Sequence, residues 1–230
     1  MTEQEKQLRE DICKIARMMY DKDLISGPAG NISARLDDGT FLLTPSMPFK
    51  QFMTPDQLIT VTIDGEKCGT ETEANKNLKP TSEVPMHLEA YKLRPDVCGI
   101  VHAHPAHVVA LTSAGKEFKS NVQTEAMLFL GDVAVAEYAT PTTDKLGDTI
   151  AAVIEDHNCI ILPHHGALVA GKTVWDAFSN MEVLEFAAKV NYLVYSMGTS
   201  KPIPKQHLQE IVDLRAKFGM QMPSDVNLLK

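Results

Sequence analysis

The spacing of apolar residues predicts strands early in the chain and helices later. Apolar side chains recur every three or four positions over residues 8–20, which predicts an amphipathic helix. Residues 32–36 and 41–44 flank an Asp-Asp-Gly-Thr turn and predict a β-hairpin. A third strand is predicted over residues 58–63, and the polar residues 66–79 are predicted to form a surface loop.

From residue 82 onward, helix-like periods alternate with short apolar runs. Helices are predicted over residues 82–94, 106–113, 125–130, 144–156, 174–195 and 204–218. Strands are predicted over residues 99–102, 133–135, 159–162 and 167–170. Strand pairs joined by turns favour a mainly antiparallel or mixed sheet covered by helices over a doubly wound parallel sheet.

We therefore expect an α/β fold with a central, mainly antiparallel or mixed β-sheet flanked by α-helices. The 230 residues, 44% of them hydrophobic, are enough to bury one full core, so a single domain is expected over residues 1–230. Residues 199–230 are expected to form a C-terminal helical extension of that domain.

Charge and composition exclude several classes of partner. A net charge of −8 without a cluster of lysine and arginine argues against nucleic-acid binding. No apolar run has the length of a membrane span, and the charged first residues do not form an export signal. Four cysteines stand far apart, three of them in apolar periodic segments, and are expected to be reduced core residues, namely Cys13, Cys68, Cys98 and Cys159. We expect a cytoplasmic protein whose partners are small molecules or copies of itself.

Two histidines at the end of a predicted strand are the first candidate metal ligands. Residues two apart on a strand face the same side, so His102 and His104 can converge on one ion while Ala103 packs on the other side. A third imidazole comes from His164 or His165, which follow the predicted strand 159–162. Neighbours in an extended segment face opposite ways, so only one of these two can point at the ion, and the sequence leaves that choice open.

Each histidine also has an ordinary structural interpretation. A His-x-His pair at a strand end can face solvent or form hydrogen bonds in the core, and a third histidine in a similar setting shifts the balance toward a metal. His107 lies in the next predicted helix, away from the strand end, and is not expected to be a ligand. The ligand set would suit zinc or a similar divalent ion.

A carboxylate for the same ion is available in Glu83, which stands where a polar loop runs into a predicted helix. Helix dipoles also favour an acid in a first turn, so position alone does not establish a role for Glu83. Its neighbours Thr81 and Ser82 offer hydroxyl and N–H groups at the helix start, where anions are commonly bound. Gly30 and Asn31 form a second candidate anion clamp, and residues 44–46 form a third such loop at a strand end.

Other catalytic classes fit the sequence less well. The cysteines lie in apolar contexts that raise thiol pKa values, which argues against a cysteine nucleophile. No Gly-x-Ser-x-Gly motif is present for a serine hydrolase of that class. The glycine-rich residues 26–31 follow a helix and open a strand, the reverse of a dinucleotide-binding loop.

Taken together, five motifs resemble the class II aldolase and epimerase family. In chain order they are Gly30-Asn31-Ile32-Ser33, Thr44-Pro45-Ser46, Thr81-Ser82-Glu83, His102-Ala103-His104-Pro105 and His164-His165-Gly166. The resemblance runs from the first helix to about Gly198. It implies a mainly antiparallel sheet flanked by helices and a homotetramer whose active sites lie between neighbouring subunits.

The resemblance also implies a set of site residues. His102, His104 and His165 would be ligands of one zinc ion, or another divalent ion, in each subunit, because the family's third ligand immediately precedes the glycine. Glu83 would be the fourth ligand and the acid/base. The residues implied to hold the substrate phosphate are Gly30, Asn31, Ser46, Met47, Thr81 and Ser82. Close relatives often carry glycine where this chain has Met47.

The implied reaction is reversible cleavage of a short or deoxy ketose 1-phosphate to dihydroxyacetone phosphate and an aldehyde through a metal-stabilised enediolate. Residues 123–126 fall where the family's aldolases have a tyrosine that protonates the aldehyde oxygen, and no tyrosine stands there. Glu125, another subunit or a bound water would then supply that proton.

Three alternatives remain at the sequence level. An L-ribulose-5-phosphate 4-epimerase would use the same zinc, but residues 123–131 contain no aspartate at the implied catalytic position. A dehydratase or decarboxylase of the same fold also needs a stabilised enolate. A non-catalytic interaction module would have no reason to retain three histidines and Glu83 together.

Overall fold

One sheet of eight strands runs through the residues that the computed structural model describes, 1–46 and 48–229. Its strands are β1 (Asn31–Arg35), β2 (Phe41–Leu43), β3 (Ile59–Val61), β4 (Lys67–Cys68), β5 (Gly99–Ala103), β6 (Ala134–Val135), β7 (Cys159–Leu162) and β8 (Gly166–Gly171). Their order across the sheet is β4-β3-β2-β1-β5-β8-β7-β6. Met47, predicted as a phosphate contact, lies outside the described residues.

The described ranges contain six α-helices, the first five of which contribute to the cores on the two faces of this sheet. They are α1 (Glu3–Asp21), α2 (Val84–Leu93), α3 (Ala106–Ser113), α4 (Asp144–Ala151), α5 (Val174–Ser196) and α6 (Lys205–Lys217). Shorter helical segments are the 3₁₀ turns Lys50–Phe52, Pro55–Gln57, Ser120–Val122 and Pro223–Leu229 and the π-helix Ala126–Leu130. No helix in the described part of the chain combines the length and hydropathy of a membrane span.

The predicted mixed sheet is confirmed. Strand β1 pairs antiparallel with β2 and β5, and β8 pairs antiparallel with β5 and β7, whereas β6 and β7 are parallel. The prediction that residues 66–79 are only a loop is wrong, because β4 pairs with β3 within that range. A strand of only two residues, Lys67 and Cys68, is too short to show a period-two apolar pattern, so the sequence gives no signal for it.

The two faces of the sheet pack against different helices because side chains alternate along each strand. Val101 and Ala103 of β5 lie in the core shared with α1, α3 and α5. Ile100 lies in the core shared with α2 and α4. His102 is two residues from Ile100 and therefore faces the α2 side. This alternation directs His102 toward the start of α2, where Glu83 stands.

The cysteines are only partly as predicted. Burial raises the pKa values of Cys13 and Cys159 to about 12, and the pKa of Cys68 is also raised by burial. Cys98 is exposed, so its predicted burial is wrong. Its backbone N–H and C=O continue the pairing of the sheet beyond β5, with Gly171 and Arg35, while its side chain faces outward.

The C-terminal segment is attached to the rest of the fold through a buried ion pair. Arg215 of α6 and Asp225 are each 1% exposed, and Arg215 Nε lies 2.8 Å from Asp225 Oδ2. Arg215 also donates hydrogen bonds to the carbonyl oxygens of Met127 and Leu128 in the π-helix. A Cβ at Gly131 would stand 2.4 Å from Arg215 Nη2, so glycine is required for this close approach.

Candidate metal centre and active site

Three histidines converge at one edge of the sheet. His102 lies in β5, His104 just follows it, and His165 stands in the turn between β7 and β8. One ring nitrogen from each lies within 4.8 Å of the other two. The Nε2 atoms of His102 and His104 are 3.0 Å apart. His165 is therefore the member of the His164-His165 pair that joins the cluster.

The pairing of β5 with β8 brings these histidines together. Ala103 lies opposite Ala167, and Gly166 stands beside the end of β5. A Cβ at Gly166 would come within 2.1 Å of Ala103 O and 3.0 Å of His104 Cδ2. Only glycine allows the two strands to approach so closely at this point, and that approach sets His165 beside His104.

His164 turns away from the cluster because its backbone has a φ of +60°, in the left-handed region. Its Nδ1 lies 3.2 Å from Ser113 Oγ, and its backbone N–H donates to Thr112 Oγ1. Its ring also meets the ring of Tyr138 edge to face, with centroids 6.0 Å apart. Tyr138 is 61% exposed. The sequence did not point to Tyr138. Its place follows from the parallel pairing of β6 and β7, in which Val135 lies opposite Ile161. Tyr138 and His164 each stand three residues beyond this pair.

His107 lies outside the cluster, as the sequence predicted. Its Nδ1 is 2.6 Å from Glu185 Oε1. The backbone N–H groups of His107 and Val108 donate to the same carboxylate, so Glu185 satisfies the free donors at the start of α3. This histidine has a structural partner on α5.

Glu83 faces the histidine cluster with both carboxylate oxygens. Its Oε2 lies 3.2 Å from His102 Nε2 and its Oε1 lies 3.3 Å from His165 Nε2. Asn31 Nδ2 donates a 2.7 Å hydrogen bond to Oε2. The residue directly precedes α2, and its backbone N–H donates to Thr81 Oγ1.

Burial and neighbouring charges set the protonation of this group. Burial raises the pKa of Glu83, but the charge and hydrogen bond of His102, the hydrogen bond from Asn31 and the charge of His165 together outweigh it and hold that pKa well below its usual range. Burial, followed by the charge of His102, lowers the pKa of His104 to about 3 and of His165 to about 4. At neutral pH, Glu83 is therefore a carboxylate, and His104 and His165 are neutral imidazoles.

The donor set fits a divalent metal ion. His102 Nδ1 lies 2.9 Å from the carbonyl oxygen of Ala167. A carbonyl oxygen can only accept a hydrogen bond, so Nδ1 is the donor and Nε2 is left as the ligand atom. Within the described chain, His165 Nδ1 is buried without a hydrogen-bond partner. Three neutral imidazoles and one carboxylate are ligands that zinc and related ions accept.

The three predicted anion-binding loops lie side by side. The N–H of Ser46 donates to Lys79 O at 2.9 Å, and the N–H of Thr81 donates to Thr44 O at 3.2 Å. Thr44 Oγ1 accepts from the N–H of Ile32, which follows the Gly30-Asn31 pair. Ser82 is exposed and Ser46 is half-buried, so both hydroxyl groups can reach a bound molecule. Gly30 has a φ of +76°, and a Cβ there would meet Ile25 Cγ2 at 2.6 Å.

A buried lysine ties two of these loops together. Lys50 is 3% exposed, and its Nζ donates to the carbonyl oxygens of Pro28 at 3.0 Å, Pro48 at 3.1 Å and Pro45 at 3.4 Å. Burial lowers the pKa of this amine from 10.5 to about 8. The structure records no carboxylate paired with Lys50 among the described residues.

Sequence reasoning missed three polar residues behind Glu83. His87, Ser33 and Tyr91 are buried and connect to Asn31 through hydrogen bonds. Burial, with a further effect of the charge of His102, lowers the pKa of His87 to about 3. A signal was present, because His87 and Tyr91 are four positions apart and share one face of α2, and Glu83 stands four positions before His87 at the start of that helix.

A family model covers most of the chain. The model described as Class II Aldolase and Adducin N-terminal domain matches residues 10–192. This range contains all three histidines of the cluster, Glu83 and the three anion-binding loops.

Known proteins extend the similarity over the whole fold. A 3-oxo-tetronate 4-phosphate decarboxylase of Escherichia coli is 31% identical over 216 residues, which are 92% of this chain and 97% of that protein. An L-fuculose phosphate aldolase of Methanococcus vannielii is 30% identical over 187 residues, 81% of this chain and 97% of its own length. A solved structure of an L-fuculose 1-phosphate aldolase superposes with a TM-score of 0.82 at 26% identity, covering 93% of this chain and 96% of that one.

Proposed function

Because the chain belongs to the class II aldolase and adducin family, we propose that it is a metal-dependent lyase acting on a phosphorylated sugar. The proposed reaction is reversible cleavage of a ketose 1-phosphate, resembling L-fuculose 1-phosphate, to dihydroxyacetone phosphate and an aldehyde. The observation that carries this proposal is the convergence of His102, His104 and His165 on the carboxylate of Glu83.

We propose His102, His104, His165 and Glu83 as the ligands of one zinc ion in each subunit. A divalent ion, when bound, supplies positive charge that stabilises an anion developing on the substrate oxygens. The protein's own contribution is to hold His104 and His165 as neutral imidazoles, and Glu83 as a carboxylate, in a buried site at neutral pH.

Glu83 is the proposed acid/base. Its low pKa keeps it a carboxylate at neutral pH, so it can accept a proton from the substrate carbon in the direction of synthesis. The same group returns that proton to the terminal carbon of the enediolate after cleavage. Asn31 holds Oε2 of this carboxylate, which leaves Oε1 directed toward His165.

The phosphate would be held by the loops beside Glu83. The proposed contacts are Gly30, Asn31, Ser46, Met47, Thr81 and Ser82. Hydrogen bonds between the loops support this proposal because they keep the backbone and the hydroxyl groups of three separate segments together. One side-chain N–H of Asn31 is already donated to Glu83, so its phosphate contact would use the other N–H or the backbone.

The aldehyde oxygen needs a proton donor that residues 123–126 do not supply as tyrosine. Glu125 is exposed at the start of the π-helix, and Phe129 of that helix lines a cleft with Gly171, at the end of β8 opposite Gly166. We therefore propose Glu125 as a donor to a neighbouring subunit and not to its own. The hydroxyl of Tyr138, an exposed residue beside His164 at the histidine edge of the sheet, is the donor we propose within one subunit.

A decarboxylase is the second candidate, and the missing tyrosine favours it. Loss of carbon dioxide from a 3-oxo-tetronate 4-phosphate leaves the same three-carbon enediolate that aldol cleavage leaves, so both reactions release dihydroxyacetone phosphate. Carbon dioxide leaves without a proton on its oxygen, whereas an aldehyde is formed from a hydroxyl group that exchanges a proton with the enzyme. The coverage of 92% of this chain by the decarboxylase relative also supports this candidate.

We further propose that the protein is a homotetramer with active sites between its subunits. Exposed apolar side chains on α5 and just after its end support burial against another copy of the chain, namely Phe186, Tyr192, Leu193 and Met197. Sedimentation velocity would test the assembly, and a monomer at micromolar concentration would contradict it. A cytoplasmic location stays a prediction from the sequence.

The deciding experiment supplies the purified, zinc-loaded enzyme with L-fuculose 1-phosphate, related ketose 1-phosphates and 3-oxo-tetronate 4-phosphate. Released dihydroxyacetone phosphate is measured by a coupled assay, with aldehyde and carbon dioxide measured separately and a chelator as control. Chelator-sensitive release with aldehyde supports the aldolase. Release with carbon dioxide supports the decarboxylase, and absence of dihydroxyacetone phosphate from every substrate contradicts both.

A further inference from the structure

A chain of buried hydrogen bonds leads from Glu83 into the interior of the protein. Strand β1 supplies Asn31 and Ser33 from alternate positions, and the face of α2 supplies His87 and Tyr91. The contacts follow the order Glu83, Asn31, His87, Ser33 and Tyr91, so strand and helix contribute in turn. We infer that Tyr91, Ser33 and His87 are positioning residues that act through Asn31 to hold Glu83 in its catalytic orientation.

The direction of the first two bonds follows from chemistry. A carboxylate only accepts hydrogen bonds, so the group of Asn31 that lies 2.7 Å from Glu83 Oε2 is the amide nitrogen. The amide oxygen of Asn31 therefore faces His87 Nε2. Because that oxygen carries no proton, Nε2 of His87 must carry one and donate it.

The rest of the chain then has one consistent direction. With its proton on Nε2, a neutral His87 presents a bare Nδ1, which accepts from Ser33 Oγ at 2.6 Å. Ser33 has then used its only proton, so its oxygen accepts from the hydroxyl group of Tyr91 at 2.9 Å. Every hydrogen bond in this series is therefore donated in the direction of Glu83.

This arrangement fixes the orientation of the Asn31 side-chain amide, which could otherwise rotate by about 180°. A reversed Asn31 would set its oxygen against the carboxylate of Glu83 and its nitrogen against the N–H of His87, and both contacts would be repulsive. Strand pairing adds to the effect, because Asn31 lies opposite His102 in the β1–β5 register. The backbone of Asn31 therefore fixes its distance to His102, a candidate metal ligand, while the side chain of Asn31 holds the carboxylate of Glu83.

Burial makes the chain sensitive to the loss of any member. His87 and Ser33 are 0% exposed and Tyr91 is 2% exposed, so water cannot replace a missing partner without a rearrangement. The inference rests on the proposed function, because Glu83 needs a fixed orientation only if its carboxylate takes part in the reaction. The direction of the hydrogen bonds is independent of the reaction.

Neutron diffraction from deuterated crystals of the zinc-loaded enzyme tests the direction without reference to activity. We expect deuterium on His87 Nε2 and none on Nδ1, with the two deuterons of Asn31 on the side of Glu83. Deuterium on Nδ1, or a reversed Asn31 amide, would overturn the inference whatever reaction the enzyme performs.

Kinetics of variants test the effect on Glu83. Ser33→Ala and His87→Leu should lower kcat by about 10- to 100-fold, the loss expected when hydrogen bonding to a charged group is disturbed, while KM and zinc content stay near the wild-type values. His87→Gln, which keeps one donor and one acceptor, should recover part of kcat. Tyr91→Phe should have a smaller effect, because Ser33 retains its own donation to His87.

Thr60→Val is the matched control. Thr60 is also a buried hydroxyl residue of the sheet, but its Oγ1 has no hydrogen-bond partner in the described chain. We expect kcat to be unchanged in this variant. An equal loss in Thr60→Val, or a normal kcat in a folded His87→Leu, would refute the positioning role. If the wild type turns over no substrate, the proposed function fails, and the neutron result still decides the direction of the chain.

Discussion

Glu83 contacts His102 and His165 through different carboxylate oxygens. Its two proposed roles, metal ligand and acid/base, can be separated by substitution. Glu83→Gln keeps an oxygen that can coordinate a metal but removes the base. We expect this variant to retain much of its zinc and to lose at least about 100-fold in kcat, the usual contribution of a general base. Metal analysis and turnover of the same purified samples provide the measurement.

His104→Ala is the companion variant, because it removes a ligand and no acid or base. Zinc and activity should fall together. His107→Gln is the matched control, since His107 is bound to Glu185 away from the cluster and its loss should leave the zinc content unchanged. Full activity in either His104→Ala or Glu83→Gln would contradict the proposed site.

Removal of the Tyr138 hydroxyl group should affect aldol cleavage and decarboxylation differently. Tyr138→Phe should lower aldol cleavage by about 100-fold if this hydroxyl exchanges the proton of the aldehyde oxygen. Decarboxylation should be nearly unaffected, because carbon dioxide leaves unprotonated. Tyr195→Phe is a control tyrosine variant, since Tyr195 donates its hydroxyl proton to Glu117 O. Unchanged aldol cleavage in Tyr138→Phe would exclude Tyr138 as the donor.

Single residues differ in how far the sequence reveals their place. His102 and His104 could be predicted together because strand alternation alone directs them to one side, with Ala103 on the other. The choice of His165 over His164 could not be predicted, since it depends on the left-handed backbone of His164. His87 and Ser33 resemble ordinary core residues until β1 and α2 are brought together by contacts more than fifty positions apart.

At the scale of elements, the approach of β8 to β5 holds the histidines together. Gly166→Ala would push a Cβ to 2.1 Å from Ala103 O, which requires the backbone to move. We expect a destabilisation of at least about 2 kcal/mol and a lower affinity for zinc. Urea unfolding and a competitive zinc titration would measure both effects.

Gly147→Ala gives the contrasting case within α4. The nearest atom to its Cβ would be Pro85 O at 3.6 Å, an ordinary contact. Alanine favours helix over glycine, so this variant should gain up to about 1 kcal/mol in stability and bind zinc normally. If both glycine variants behaved alike, close strand approach would not explain Gly166.

The loops tied by Lys50 should show their own pH dependence. Its pKa is about 8 in the folded protein and 10.5 at its ordinary value, so the folded state binds fewer protons between these values. The wild type should therefore gain stability as pH rises through this window and lose it as pH falls, relative to Lys50→Met. Urea unfolding of both proteins at about pH 7 and about pH 10 would measure the difference. Parallel stability curves would show that Lys50 keeps an ordinary pKa.

Helices and strands also differ in how well the sequence predicts them. Long periodic segments such as α1 and α5 could be located from their apolar spacing, and the turn of the β1–β2 hairpin carried its own signal. Strand β4 could not be found, because its two residues, Lys67 and Cys68, are too few to show any periodicity. Helix α4 ends at Ala151 although apolar residues continue the pattern to residue 154, so tertiary contacts rather than spacing set its end.

On the scale of the whole molecule, the buried pair of Arg215 and Asp225 connects the C-terminal segment to the π-helix near Gly131. The sequence predicted a helical extension but could not reveal this pair, whose partners are separated by a turn and meet a distant segment. The π-helix Ala126–Leu130 contacts both α5 and α6, so the attachment of the last helix supports a segment in the middle of the chain.

Arg215→Met should therefore destabilise the whole protein rather than free its C-terminus alone. The variant leaves Asp225 buried without its cation, and Asp225 Oδ1 already lacks a hydrogen-bond partner in the described chain. Loss of one partner of a buried pair typically costs about 3–5 kcal/mol. The double variant Arg215→Met with Asp225→Leu should recover much of this loss, because no buried charge remains.

Lys76→Gln, which removes an exposed pair with Glu73, should change stability by less than about 1 kcal/mol. Urea unfolding of the four proteins would decide the matter, and a mild effect of Arg215→Met, equal to that of Lys76→Gln, would mean that the last helix folds independently of the sheet.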